Sequence, residues 1–187
     1  MRRRPIVGLL TFAVCAALVP GCAAPDRAAA PGIGTDAAST PRTVEVVVSR
    51  NVDGDTIHVT MPDGAREKVR FIGVDSPEST EKHEPFGDEA ADYTRARLPV
   101  GTRVWLETDV ELRDTYGRLL AYVWLSPPGS TSATEVRTKM LNARLLADGY
   151  ALLMTIAPDV KYADQFTPLL NEARQAKRGM WAVPPVP

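Results

Sequence analysis

Asp53-Gly54-Asp55-Thr56-Ile57-His58-Val59-Thr60-Met61-Pro62-Asp63-Gly64-Ala65-Arg66-Glu67-Lys68-Val69-Arg70-Phe71-Ile72-Gly73-Val74-Asp75-Ser76-Pro77-Glu78 decides how the rest of the chain is read. Ile57, Val59 and Met61 alternate with Thr56, His58 and Thr60, the pattern of a half-buried strand. Pro62-Asp63-Gly64 is a hairpin turn, and Arg66 to Val74 is the returning strand. With Asp63-Gly64 as a two-residue turn, Asp55 is expected opposite Ile72 and diagonal to Arg70. Asp75 lies past that pairing, so a bend is expected at Ser76-Pro77. Carboxylates thus stand at both ends of an apolar hairpin, with an arginine between them. Oxygen donors grouped this way suit a hard divalent cation such as calcium. An arginine beside such a cation suits a phosphate.

Working outward, Thr43 to Ser49 is a β-branched run and a first strand. A polar loop rich in glutamate (Glu78, Glu81, Glu84, Glu89) follows the hairpin. A helix is expected from Gly87 to Leu98, stopped by Pro99. Gly101 to Leu112 alternates as a fourth strand, Asp114 to Gly117 is a turn, and Arg118 to Leu125 is a fifth strand. Pro127 to Thr134 is a loose tip. Residues 139–148 form a short amphipathic helix ended by Gly149, a glycine placed to cap it. The last helix runs from Tyr162 to Lys177, and Pro168 within it implies a late start or a kink. Five strands with about three attached helices predict an α+β fold, mainly β: a five-stranded oligonucleotide/oligosaccharide-binding (OB-fold) barrel. There is no internal repeat.

The ends bear on location. Met1-Arg2-Arg3-Arg4 precedes an apolar run from Ile6 to Val19, too short and wrongly flanked for a membrane span. Residues 1–22 are expected to be a signal peptide of lipoprotein type, because Val19-Pro20-Gly21-Cys22 resembles a lipoprotein cleavage box. Cys22 then carries a lipid, and the protein sits on the outer face of the cytoplasmic membrane; an ordinary cut near Ala23 makes it secreted. Residues 23–42, rich in Ala, Pro, Gly, Ser and Thr, are a flexible tether. The folded domain is expected over 43–182, with a loose tail at 183–187. Both cysteines, Cys15 and Cys22, lie in the leader, which leaves the domain without a disulfide or a zinc-thiolate site. Removal of 1–22 leaves 19 Lys+Arg against 23 Asp+Glu. A generally basic nucleic-acid surface is therefore excluded, and contact with a polyanion must be local or helped by a bound cation.

With these elements placed, the chain resembles the staphylococcal nuclease family over about residues 43–182. Three motifs carry the resemblance in order: Asp53-Gly54-Asp55-Thr56; Arg70 with Val74-Asp75-Ser76-Pro77-Glu78; and Asp114-Thr115-Tyr116-Gly117-Arg118. Leu141-Asn142-Ala143, Gly149-Tyr150-Ala151 and Arg178-Gly179-Met180-Trp181 add weaker matches. The resemblance implies a calcium-dependent phosphodiesterase of DNA and RNA, acting as a monomer. It makes Asp55, Asp75 and the Ser76 main-chain carbonyl the calcium ligands. Glu78 becomes the residue that orients or deprotonates the attacking water. Arg70 and Arg118 become the phosphate-binding pair, and Tyr116 lies near the bound nucleotide. Two departures stand out. Thr115 replaces a lysine beside the tyrosine, and Thr155 or a neighbour replaces a base-stacking aromatic, a role left open to Tyr150 or Tyr162. The alternative function is a non-catalytic barrel that binds nucleic acid or a partner protein. The presence of Asp55, Arg70, Asp75, Glu78 and Arg118 together favours the enzyme.

Several residues have plainer readings. Asp53 and Asp114 are expected to stabilise their turns. Arg70 taken alone is a surface ion-pair residue. His58 and His83 are expected to be solvated, which argues against a histidine base or a Ser-His-Asp hydrolase. Trp105, Trp124 and Trp181 are expected in the core.

Overall fold

A computed structural model describes residues 39–80 and 82–182. The expected leader (1–22), most of the tether, Glu81 and the tail (183–187) lie outside them. Seven strands form: β1 (Val44–Asn51), β2 (Thr56–Thr60), β3 (Arg66–Phe71), β4 (Gly73–Asp75), β5 (Arg103–Glu107), β6 (Leu119–Trp124) and β7 (Leu152–Met154). Four α-helices accompany them: α1 (Gly87–Arg97), α2 (Ala133–Lys139), α3 (Leu141–Ala147) and α4 (Ala163–Gln175). A short 3₁₀ turn, Gly179–Ala182, follows. Strands β1-β2-β3-β6-β5 close into a barrel, as the OB-fold expectation requires. Every pair is antiparallel except β3 with β6. Ile57, Val59, Val69, Val104 and Val123 are fully buried and fill the interior. No described helix is long and apolar enough to cross a membrane.

The hairpin register differs from expectation by one residue. Thr56 pairs with Arg70 and Thr60 with Arg66. The Met61 amide donates to Ala65 O at 2.8 Å and the Gly64 amide to Met61 O at 2.9 Å, so the turn has three residues, Pro62 to Gly64. Gly64 takes φ +87°, the left-handed position such turns need. Asp55 consequently faces Phe71, not Ile72: the Phe71 amide donates to Asp55 O at 2.9 Å.

Other boundaries shift for identifiable reasons. The fourth strand stops at Glu107, because Asp109 turns out of the sheet to accept the Lys161 amide and the Tyr122 hydroxyl. Val110 and Leu112 are exposed as a result. The expected helix over 139–148 is α3, and a helix the sequence did not suggest, α2, precedes it. Met140, buried and extended, separates the two by bridging Trp124. Ser132 caps α2 by accepting the Glu135 amide. Pro168 sits inside α4, which begins at Ala163. The 127–134 tip is pinned: Thr131 donates to Ser39 O at 3.0 Å, Thr40 to Gly129 O at 3.0 Å, and Gln165 to Thr131 O at 3.1 Å. Trp124 is fully buried, and Trp105 and Trp181 pack partly buried against the core.

Candidate functional site

Two glycines bring the acids together. A Cβ on Gly54 would stand 2.7 Å from Ser76 Cβ and Oγ, so only glycine lets the 53–55 turn press against the 75–76 segment. Thr94 of α1 holds that turn from behind, its hydroxyl donating to Gly54 O at 2.6 Å. Gly73, at φ +78° and closely packed on Phe166, turns the chain from β3 into β4. β4 leaves the barrel and pairs with β7, Asp75 opposite Leu152. The buried Asn142 fixes this bend, donating to Ile72 O and accepting the Val123 amide, both at 2.9 Å. The Ser76 amide then donates to Asp55 Oδ2 at 2.7 Å.

Arg70 bridges the two acids. Its Nη2 donates to Asp75 Oδ1 at 2.7 Å. Its Nη1 lies against Asp55 Oδ2 as an ion pair. Arg70 is only 8% exposed, so the plain surface-pair reading does not hold. Burial pushes the Asp55 carboxyl above its ordinary value; Arg70 pulls it down and Asp53 pushes it up. Burial likewise raises Asp75 against the pull of Arg70. Asp53 accepts the Asp55 amide at 3.2 Å, the turn role expected of it.

Arg118 reaches the same cleft from the turn before β6. Asp114 accepts the amides of Tyr116 and Arg118, each at 2.9 Å, and Arg118 Nε at 2.6 Å. Burial works against its charge, yet these donors hold the Asp114 carboxyl below its ordinary value. The Arg118 guanidinium lies 5.4 Å from the centre of the Tyr116 ring, which is 83% exposed. Arg70, Arg118, Thr115 and Tyr116 line one cleft of about 310 Å³. Its far wall is Met154, Ile156 and Asp159, on or just after β7. Glu78 stands in the loop after β4 and is half-buried. Its Oε2 accepts the Thr80 hydroxyl at 3.1 Å. No hydrogen bond or ion pair joins it to Asp55, Asp75, Arg70 or Arg118 among the described residues.

Among the described residues no three His, Cys, Asp or Glu side chains form a ready metal cage. The donor chemistry nevertheless fits a hard cation. Asp55 and Asp75 offer only oxygen, burial disfavours their charge, and the buried Ser76 hydroxyl has no partner. Asp55, Asp75 and the Ser76 carbonyl are the groups that would hold it.

Residues 68–183 match the family described as staphylococcal nuclease homologue. The chain belongs to the staphylococcal nuclease family. A thermonuclease of Staphylococcus hyicus is 36% identical over 138 residues, covering 72% of this chain and 74% of that protein. A thermonuclease of Staphylococcus intermedius gives the same figures. The endonuclease YncB of Bacillus subtilis (strain 168) is 34% identical over 144 residues, 74% of this chain and 62% of that protein. In this staphylococcal nuclease homologue the aromatics that line the cleft are Phe71 and Tyr116, and neither Tyr150 nor Tyr162 is among its lining residues. Tyr162 is buried on Glu107, and Tyr150 stacks on Tyr93 with ring centres 4.2 Å apart, outside the cleft lining. Met154 and Ile156 supply that wall instead. No sequence pattern marked them, because β7 has only three residues, too few for alternation to show.

Proposed function

We propose that this chain is a calcium-dependent nuclease that hydrolyses phosphodiester bonds of DNA and RNA. One observation carries the reading: Arg70, ion-paired to both Asp55 and Asp75, lines the same cleft as Arg118. Two guanidiniums there can grip the oxygens of one phosphodiester, each planar fork reaching two of them. Attack by water that has lost its proton forms a new P–O bond and adds a negative charge, which a phosphorane-like transition state spreads over the oxygens that Arg70 and Arg118 face; the ester P–O bond then breaks, and its oxygen leaves and takes a proton from solvent. Glu78 aligns the water and takes its proton, and the Thr80 hydroxyl orients that carboxylate. A calcium ion held by Asp55, Asp75 and the Ser76 carbonyl would supply positive charge beside the same phosphate. The exposed Tyr116 flanks the nucleotide. The relatives' printed names, thermonuclease and endonuclease, support the same reading.

The protein works as an exported monomer, anchored through a lipid on Cys22 or released. A plasmid digest with calcium, beside one with chelator, tests the activity. Nicking and degradation are expected only with calcium. Intact DNA in both leaves the non-catalytic binding module as the function. Mass spectrometry of the mature N-terminus tests the anchor.

A further inference from the structure

We propose that one strand of the nucleic acid, on leaving the cleft, runs across the outer face of β1-β2-β3 with its phosphates on Lys68 and Arg50. The inference rests on the nuclease reading above and extends the substrate's path beyond the cleft. Ile57, Val59 and Val69 are fully buried and point into the core, so their strand neighbours His58 and Lys68 point outward. Lys68 stands directly opposite His58, and His58 directly opposite Arg50. The row continues on its other side. β3 and β6 run parallel from the pair Val69 and Leu119, and the same offset sets Lys68 beside Arg118. Lys68 also shares a face of β3 with Arg70, two residues further on. One line of basic side chains thus leads from the two cleft arginines to Arg50, three strand spacings or about 14 Å from Arg118.

The row forms against the tendencies of the sheet. A β-bulge between Val48 and Arg50 shifts the register by one residue. Without that shift Arg50 would stand opposite the buried Ile57; the bulge turns it outward, opposite His58. Like charges directly across from one another destabilise a sheet. Burial, and then the charges of Lys68 and Arg50, hold the His58 imidazole below its ordinary value, and no described acid offsets them. The glutamates of these strands, Glu45 and Glu67, pair with Arg103 and Arg113 instead. Arg50 and Lys68 are exposed and make no ion pair among the described residues. A domain with more acids than bases therefore holds two unneutralised cations in a line that ends at the cleft, the local positive charge that a polyanion needs. A single row of cations fits one backbone, and a barrel of this kind covers about 4–16 nucleotides of single strand.

Fluorescence anisotropy of a labelled oligothymidylate of about twelve nucleotides, mixed with the protein in the presence of chelator, tests this. Affinity is expected to fall with added salt, and the log–log slope reports the phosphates neutralised. Arg50→Ala combined with Lys68→Ala should shrink that slope by about 1.4, since each contact to a single strand contributes about 0.7. A control, Arg95→Ala combined with Arg137→Ala, removes the same charge from α1 and α2 and should leave the slope unchanged. No binding by the wild-type protein at low salt overturns the proposal. A slope that the Arg50 and Lys68 variant leaves unchanged overturns it too, as does one that the control shrinks equally. Either of those results together with calcium-dependent DNA digestion leaves the nuclease standing without this track. A slope that depends on Arg50 and Lys68, with no digestion, keeps the track and removes the nuclease.

Discussion

Two buried carboxylates in this protein meet cations, and they are satisfied to different degrees. Glu107, inside the barrel end of β5, accepts Trp124 Nε1 at 2.8 Å and the Tyr162 hydroxyl at 3.0 Å, and pairs with Lys161. Burial and the Glu107 charge push the Tyr162 hydroxyl far above its ordinary value, so it stays a donor. Asp55 also meets a cation, Arg70, but the neighbouring buried Ser76 hydroxyl has no partner. A complete polar network ties α4 to the barrel and needs nothing further. An incomplete one beside a cleft leaves a buried polar group free to meet whatever binds there.

That contrast can be broken from either side. The largest effect is expected at the incomplete site. Arg118→Lys keeps the charge but loses the fork and its bond to Asp114, and turnover on DNA should fall by about 100-fold. Glu78→Gln should lower turnover by well over about tenfold with an unchanged melting curve; near-normal cleavage would remove Glu78 from the chemistry. At the complete network the pattern should invert. Glu107→Gln gives the Trp124 and Lys161 donors one acceptor too few, at a cost of about 2 kcal/mol in urea unfolding. Activity per folded molecule should stay unchanged. The smallest effect belongs to a surface network. Arg137 and Arg178 hold the Glu172 carboxyl down to about 2, mainly through hydrogen bonds. A depressed carboxyl contributes stability above its free value and loses it as pH falls through about 2. Since Glu172 is 40% exposed, that contribution should stay below ~1 kcal/mol. The melting difference between wild type and Glu172→Gln at pH 7 should vanish near pH 2.

The barrel was legible where single residues enforce their surroundings. Alternation at Ile57 and Val59 marked a core strand, Pro99 marked a helix end, and the two turn acids, Asp53 and Asp114, make the local bonds their positions imply. Legibility failed where geometry depends on a distant partner. Pro62 joined the turn and moved the register by one residue, which composition alone does not reveal. Met140 looked helical, but its bridge to Trp124 is a tertiary contact. Glu107 lies in the expected fourth strand, and Trp124, Lys161 and Tyr162, distant along the chain, make its burial tolerable. Arg70, Asp75 and Arg118 were found through their motifs. The β7 wall of the cleft carries no motif, and Asp159 was missed with it.

The pairing of β4 with β7 has a temporal side. Asp55, Arg70 and Asp75 leave the ribosome early, and Arg118 somewhat later, but Asp75 finds its strand partner only at Leu152. The peptide that clamps its bend, through Asn142, also arrives late. A nascent or clipped polypeptide ending before about residue 152 therefore carries the reactive side chains without the frame that aims them. Competence comes only once residue 152 has been made and paired, a built-in delay for a protein proposed to act on the polymers its own producer depends on.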